Sequence, residues 1–407
     1  MKRKKLLKLS INKAIIRINY CSFFKSVIFE WSIVMKILIL TASTGGGHKR
    51  AAAALEAKIK SLDSNTEVKV VDAFKAISRA YDKTICDGYK FMATKIPKVY
   101  GVCYKITDKK SPIYDVVMRS NNIMSNKLLE TIEEFKPDVA VLCHPFLTTM
   151  VSRLKRKNKI DVKTISIITD YDAHRTYFVN NIDAYVVAVP QMVNKLITEY
   201  GVEPEKIYPL GIPIFDNFSK TVNKEEICKR EGLNPNLPTV LLMAGSFGVS
   251  SVLEFYKDLA EKSKNTQLIV ITGKNQKLYA HLEKLMHEIK SEGNTKLMYF
   301  VDNVEDYMHI SDVIVTKPGG LTVTESLACS LPLAIYNAFP GQEYDNARFL
   351  ESQNVAVLLN KHGGADEVIK LLEDKDRLCE MKEKCKQLSI HDSAENIYNL
   401  AKKLYEE

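Results

Sequence analysis

The 407-residue sequence predicts an α/β protein built from two doubly wound, Rossmann-like domains facing a cleft. Three observations carry this. Short apolar runs alternate with amphipathic stretches along the chain, the pattern of parallel sheets covered on both faces. The alternation occurs twice, on either side of the Pro- and Gly-punctuated segment Pro209-Leu-Gly-Ile-Pro213. Strands in each half run directly into glycine turns, where open parallel sheets bind their ligands.

In the first half, Lys36–Leu40, Val68–Val71, Val139–Leu142, Thr164–Ile168 and Ala184–Val187 read as buried strands. Helical patterns around Ala51–Lys60 and Asn126–Phe135 separate some of them. In the second half, Thr239–Met243, Gln267–Ile271, Leu297–Phe300, Val313–Val315 and Leu333–Ile335 read as strands. Helices are expected near Val252–Ser263 and Leu278–Ser291. A last helix, about Ser393–Tyr405, is expected to pack back across both domains. The expected units are a leader (1–34), an N-terminal domain (35–213), a C-terminal domain (214–392) and the final helix (393–407).

Composition is ordinary, 46% apolar and 26% charged, which excludes disordered, collagenous and disulfide-scaffold classes. The eight cysteines form no C-x-x-C pair, so no zinc ribbon or thioredoxin motif is present and a reduced cytoplasmic setting is expected. No uninterrupted apolar stretch is long enough for a spanning helix.

The net charge of +9 is unevenly spread. Residues 1–34 hold eight basic residues and one acidic, a net +7. Lys13, Arg17 and Lys25 interrupt their apolar run and no small-residue cleavage site follows, so they make a poor signal peptide. A basic membrane anchor is a second reading. The expectation is that translation starts at Met35, where MKILIL opens a strand. Residues 35–215 carry 27 basic and 19 acidic residues, whereas 216–407 carry 23 and 29. A basic first half points to a polyanionic partner for that half.

Five strand-to-glycine loops carry candidate chemistry, one in the first half and four in the second. The first strand runs into Thr41-Ala-Ser-Thr-Gly45-Gly46-Gly47-His48. The glycines allow close ligand approach and the next helix offers free N–H groups. It is neither a P-loop nor a G-x-G-x-x-G fingerprint. His48 could serve as a general base or be a solvated first-turn residue; the glycines alone leave both open. In the second half, Lys317-Pro-Gly319-Gly320-Leu321-Thr322 is a glycine turn opening a helix, suited to a phosphate. Glu325 lies one turn further in, where a carboxylate can accept from a ribose diol. Gln342 and Glu343, in Phe339-Pro-Gly-Gln-Glu343, suit sugar hydroxyls. Gly245 and Ser246 lie in another strand-to-glycine turn, and Gly273 in a fourth. Cys143-His-Pro145 and Thr169-Asp170-Tyr-Asp-Ala-His174 also follow strands, but their spacing matches no metal motif, and no metal is expected.

Residues 81–114 interleave seven lysines with six aromatics. Lys90, Phe91, Lys95, Lys98 and Tyr100 are the expected contacts to an anionic membrane surface. The alternative is a solvated helical pair with its tyrosines turned inward. No RNA- or DNA-binding signature accompanies these residues, so no nucleic-acid partner is expected.

The TASTGGGHKRAAAAL turn, the ITDYDAH stretch, the GIPI junction and the KPGGLTVTESLA and PGQEYDNARFL blocks resemble processive diacylglycerol glucosyltransferases and monogalactosyldiacylglycerol synthases. The similarity runs from about Met35 to the C-terminus. It implies an inverting glycosyltransferase of the GT-B type, peripheral on the inner face of the cell membrane. It would move a hexose from a UDP-sugar, glucose favoured and galactose open, to diacylglycerol. No cofactor is implied, because the UDP-sugar is a co-substrate. The resemblance makes His48 the base, with Asp170 orienting it or the acceptor. Gly320 and Thr322 would meet the diphosphate, and Gly245, Ser246, Lys317, Gly319 and Leu321 would be further donor-binding residues. Glu325 would meet the ribose, and Gln342 and Glu343 the sugar. The competing readings are a UDP-sugar epimerase with a soluble substrate and a nucleotide-sugar-binding regulator without turnover.

Overall fold

The computed structural model describes residues 34–407 except 44–45, 245–248 and 361–362, and excepting the side chains of 89–90, 93–94 and 120–123. The leader, Gly45, Gly245 and Ser246 lie outside the described residues.

The first sheet contains six parallel strands in the order β2-β1-β3-β4-β5-β6. In chain order the elements are β1 (Lys36–Thr41), α1 (Gly47–Leu62), β2 (Glu67–Asp72), α2 (Ala73–Ile77), α3 (Arg79–Lys95), α4 (Pro97–Thr107) and α5 (Pro112–Phe135). Then come β3 (Val139–Leu142), α6 (Pro145–Arg156), β4 (Lys163–Ile167), β5 (Ala184–Val186), α7 (Val193–Thr198) and β6 (Ile207–Tyr208). β1 is fully apolar from Ile37 to Leu40 because helices cover both faces of the sheet. Helix α5 starts earlier than its apolar period suggests. Ser111 caps it by accepting from Tyr114 N, and Pro112 takes the first-turn position.

The second sheet is also six-stranded and parallel, ordered β12-β11-β10-β7-β8-β9. Its elements are α8 (Lys224–Glu231), β7 (Thr239–Met243), α9 (Val249–Lys262), β8 (Gln267–Ile271), α10 (Gln276–Glu288) and β9 (Thr295–Met298). They continue with α11 (Val304–Ile310), β10 (Val313–Thr316), α12 (Gly320–Ala328), β11 (Leu333–Ile335), α13 (Gln342–Ser352) and β12 (Ala356–Leu358). The chain ends with α14 (Gly364–Glu373), α15 (Lys375–Leu388) and α16 (Ser393–Glu406). Strand β9 sits two residues earlier than its apolar run suggests. It pairs Thr295–Met298 with β8, and Tyr299 and Phe300 emerge exposed, with Lys274 over the Phe300 ring.

Both sheets are α/β and doubly wound, as the alternation predicts. Each reverses strand order once, between β1 and β3 in the first and between β7 and β10 in the second. Crevices beyond such switch points are where this architecture binds ligands. The glycine turns after β1 and β10 lie at these two places.

Helix α16 returns to the first sheet. Ile397, Leu400, Ala401 and Leu404 pack with Ile37, Ile39, Leu55 and Ile59. The Tyr398 hydroxyl donates to Asp63 at 2.7 Å and lies 2.8 Å from Thr66 Oγ1. At the junction, Gly211 has φ +85°, and a Cβ there would fall 3.0 Å from Ile390.

Candidate active site

His48 is the second residue of α1, held beside the sheet's carboxyl edge. Its Nδ1 lies 3.1 Å from Thr169 Oγ1, and its ring meets His144 edge-on at 4.8 Å. Burial draws its pKa down to about 4, against a smaller upward pull from a backbone hydrogen bond at Cys143. The imidazole is therefore neutral at physiological pH and able to accept a proton. His144 is held by structure: its Nδ1 accepts from Phe146 N, capping α6. His174 bonds to Thr176 and lies 3.0 Å from the Tyr104 carbonyl.

Of the two roles the resemblance implies for Asp170, orienting His48 or orienting the acceptor, no direct contact to His48 is seen. Thr169, not Asp170, contacts the His48 ring, and the Asp170 carboxylate accepts from Asn346 Nδ2 at 3.1 Å. Burial pushes its pKa up to about 6, opposed by the Asn346 bond and supported by Glu343, Asp172 and Asp345 nearby. Asn346, which follows the Gln342–Glu343 pair in sequence and has no expected role of its own, joins the two domains. Fully buried, it also accepts from Tyr171 N at 2.8 Å and donates to the Pro318 carbonyl at 2.9 Å. Tyr171 adds a bond across the cleft, its hydroxyl 3.0 Å from Thr324 Oγ1. Asn346→Ala should raise the Asp170 pKa above its present value, because a donor to the charged form is lost. An NMR titration that finds the Asp170 pKa no higher in the variant than in wild type would contradict this arrangement.

Opposite His48, β10 leads through buried Lys317 into Gly319 and α12. A cavity of about 230 Å³ opens here, lined by Gly273, Lys317, Gly319, Thr322 and Glu343 among others. The first N–H groups of α12 and its positive dipole end adjoin this cavity, which suits an anion. Lys317 Nζ sits 3.5 Å from the centre of the Phe339 ring and 3.9 Å from Glu343 Oε2. Burial lowers its pKa and Glu343 partly offsets that. Glu343 also accepts from Phe339 N at 3.0 Å, which fixes the loop before α13.

The domains approach very closely at this point. A Cβ on Gly320 would lie 1.8 Å from the Thr169 carbonyl oxygen, and one on Gly47 would touch Leu321 at 3.4 Å. Glu325, 3% exposed, pairs with Arg50 of α1 at 2.8 Å. Burial raises its pKa to about 7 and Arg50 pulls it back. Gln342 accepts a 2.5 Å hydrogen bond from the Tyr100 hydroxyl of α4. Tyr100 thus faces the cleft rather than the outer surface. Phe91, Lys95 and Lys98 are exposed, Phe91 to 57%. Lys90 lies in α3, its side chain outside the described residues.

Two doubly wound domains enclosing a cleft, with a histidine on one wall and a phosphate-suited glycine turn on the other, define the GT-B architecture. Comparison with known proteins agrees. Residues 48–214 match the monogalactosyldiacylglycerol (MGDG) synthase family and residues 224–389 match the glycosyl transferases group 1 family. The processive diacylglycerol beta-glucosyltransferase of Bacillus pumilus is 33% identical over 378 residues, 89% of this chain and 93% of that one. MurG of Acinetobacter baumannii superposes with a TM-score of 0.62 at 12% identity, over 91% of this chain and 99% of that one. A UDP-GlcNAc 2-epimerase from Neisseria meningitidis, bound to UDP-GlcNAc, gives 0.58 at 14% identity, over 91% and 100%. The chain belongs to the processive diacylglycerol beta-glucosyltransferase family.

Proposed function

We propose that the protein transfers glucose from UDP-glucose to diacylglycerol at an anionic membrane surface, with inversion at the anomeric carbon. The observation that carries this reading is the placement of His48. It is neutral, oriented by Thr169, and set across a narrow cleft from the Gly319–Thr322 turn. His48 takes the proton of the acceptor hydroxyl as its oxygen attacks the anomeric carbon. The bond from that carbon to the diphosphate breaks on the opposite face, and UDP leaves with the electron pair. The α12 N–H groups and the Lys317 ammonium stabilise the departing charge. Gln342 and Glu343 hold the sugar, and Glu325 takes the ribose once Arg50 gives way. The closed cleft keeps water from the anomeric carbon.

The test is a panel of UDP-hexoses with diacylglycerol vesicles, the lipid products separated by chromatography. A glucosyl-lipid formed with release of UDP is the expected result. Donor isomerisation in lipid-free buffer would replace this reading with an epimerase. Donor binding without turnover on any acceptor would replace it with a regulator.

The membrane surface is supported by the outer face of α3, α4 and α5. Phe91, Ile96, Val99, Val102, Ile113 and Val116 are exposed there, Val116 to 66%. Lysines 95, 98, 109 and 110 stand exposed among them. No helix among the described residues is long and apolar enough to cross a membrane; the exposed apolar and basic side chains are what support peripheral attachment at the inner face of the cell membrane. Val102→Ser and Val116→Ser together should weaken vesicle binding by at least tenfold, since a fully buried apolar side chain is worth about 1.5–3 kcal/mol. Lys95→Gln with Lys98→Gln should cost about 1 kcal/mol per lysine on anionic vesicles and reduce the salt sensitivity. Sedimentation with vesicles that shows neither loss would remove this face from the account.

A further inference from the structure

The donor-sugar residues assigned above lie in the second domain, yet the loop that carries them is seated on a helix of the first. Helix α4 meets the Phe339–Gln342 loop through two reciprocal close approaches. A Cβ on Gly101, which is buried, would fall 2.5 Å from Pro340 Cβ. A Cβ on Gly341, whose φ is +106°, would fall 2.8 Å from the Tyr100 ring and 3.4 Å from Tyr104. Between these contacts the Tyr100 hydroxyl donates to Gln342 Oε1 at 2.5 Å. That bond fixes which end of the Gln342 amide faces α4, and hence how the side chain meets anything bound beside Glu343. Helical spacing puts Tyr100, Gly101 and Tyr104 on one face of α4, while Val99 and Val102 are exposed on another.

We propose that Tyr100 is a positioning residue for donor-sugar recognition, so that the sugar subsite is completed by both domains across the cleft. This rests on the UDP-hexose reading above. Tyr100 does not touch the reacting atoms; it acts through Gln342. Removing its hydroxyl takes away the contact from α4 to the amide oxygen, and the site then loses sugar affinity and part of its discrimination between hexoses that differ in one hydroxyl's orientation. Neither Tyr100 nor Gln342 lines the cavity beside Lys317 and Thr322, so binding of UDP alone should be unaffected.

The test compares wild type, Tyr100→Phe, Gln342→Ala and the double variant in the full chain. Calorimetry measures UDP-glucose, UDP-galactose and UDP alone. Tyr100→Phe should weaken the preferred UDP-hexose about fivefold, the range for one neutral hydrogen bond. UDP alone should bind as in wild type, which also reports that the variant is folded. The ratio between the two hexose donors should shrink, and the double variant should lose no more than Gln342→Ala. Equal UDP-hexose binding by wild type and Tyr100→Phe, strictly additive losses in the double variant, or a parallel loss of UDP itself would each overturn the proposal. A wild type that binds UDP but gains nothing from any attached hexose would overturn the donor reading, and this proposal with it.

Discussion

Replacing His48 with alanine should lower kcat by about 10²–10⁴-fold, the usual contribution of a general base, while UDP affinity stays nearly unchanged. The split follows from geometry. His48 stands on the first domain, and the cavity beside Lys317 and Thr322 belongs to the second. An equal loss of both quantities would make His48 a structural residue. The pH profile adds an independent readout. Burial holds the free protein's imidazole at about 4. A base with a lowered pKa stays deprotonated above it, so kcat/KM should hold as pH falls past the usual histidine value of about 6.5. Protonation of the imidazole itself should begin to lower kcat/KM only as pH approaches about 4, below the range in which Glu325 and Asp170 titrate. An anionic donor seated opposite favours the imidazolium, so the acid limb of kcat should lie at higher pH than that of kcat/KM.

The second large effect is expected from Gly320→Ala. Gly320 does not need glycine for its backbone angles, since its φ is not in the left-handed region. It needs the absence of a Cβ, because the Thr169 carbonyl of the facing domain would lie 1.8 Å from one. The obstacle is backbone, which a side-chain rotation does not relieve. Each domain should fold, but the cleft should no longer close, and His48 should not reach the anomeric carbon. Because catalytic groups on two domains must be brought together by closure, kcat should fall by at least about 10²-fold, the cost of losing an oriented general base. Thermal unfolding should change little, and small-angle scattering should report a more open particle. Near-normal turnover by Gly320→Ala would show that the reaction does not need this closed arrangement.

Much of the architecture is legible in the sequence because fully buried parallel strands have a plain signature. Val139–Leu142, Thr239–Met243, Gln267–Ile271 and Leu333–Ile335 begin and end where their apolar runs do. Ile207–Tyr208 and Ala356–Leu358 leave no such signature, because they are edge strands of two and three residues, too short to show a period. The turns after β1 and β10 were likewise legible, since glycine before a helix start marks close approach. What was not legible is everything that crosses the cleft. Asn346 joins Asp170 over 176 positions, Tyr100 reaches Gln342 over 242, and Arg50 pairs with Glu325 in the other half of the chain. Each of these residues has an ordinary local context. Tyr100 reads as one of six interleaved aromatics suited to a lipid boundary, and only the packing of α4 on the Pro340–Gly341 loop turns it inward. Charge behaves similarly. The acidic second half offers an anion site because helix N–H groups and one buried lysine act locally, whatever the net balance of the domain.

The measurement that tests the account most directly is the anomeric configuration of the product. UDP-glucose, an α-linked donor, is incubated with diacylglycerol vesicles, and the glycolipid is isolated and examined by proton NMR. One base on the face opposite the departing UDP predicts a β-linked glucosyl-diacylglycerol, with one UDP released per sugar transferred. An α-linked product, or UDP released with free glucose and no glycolipid, would contradict it.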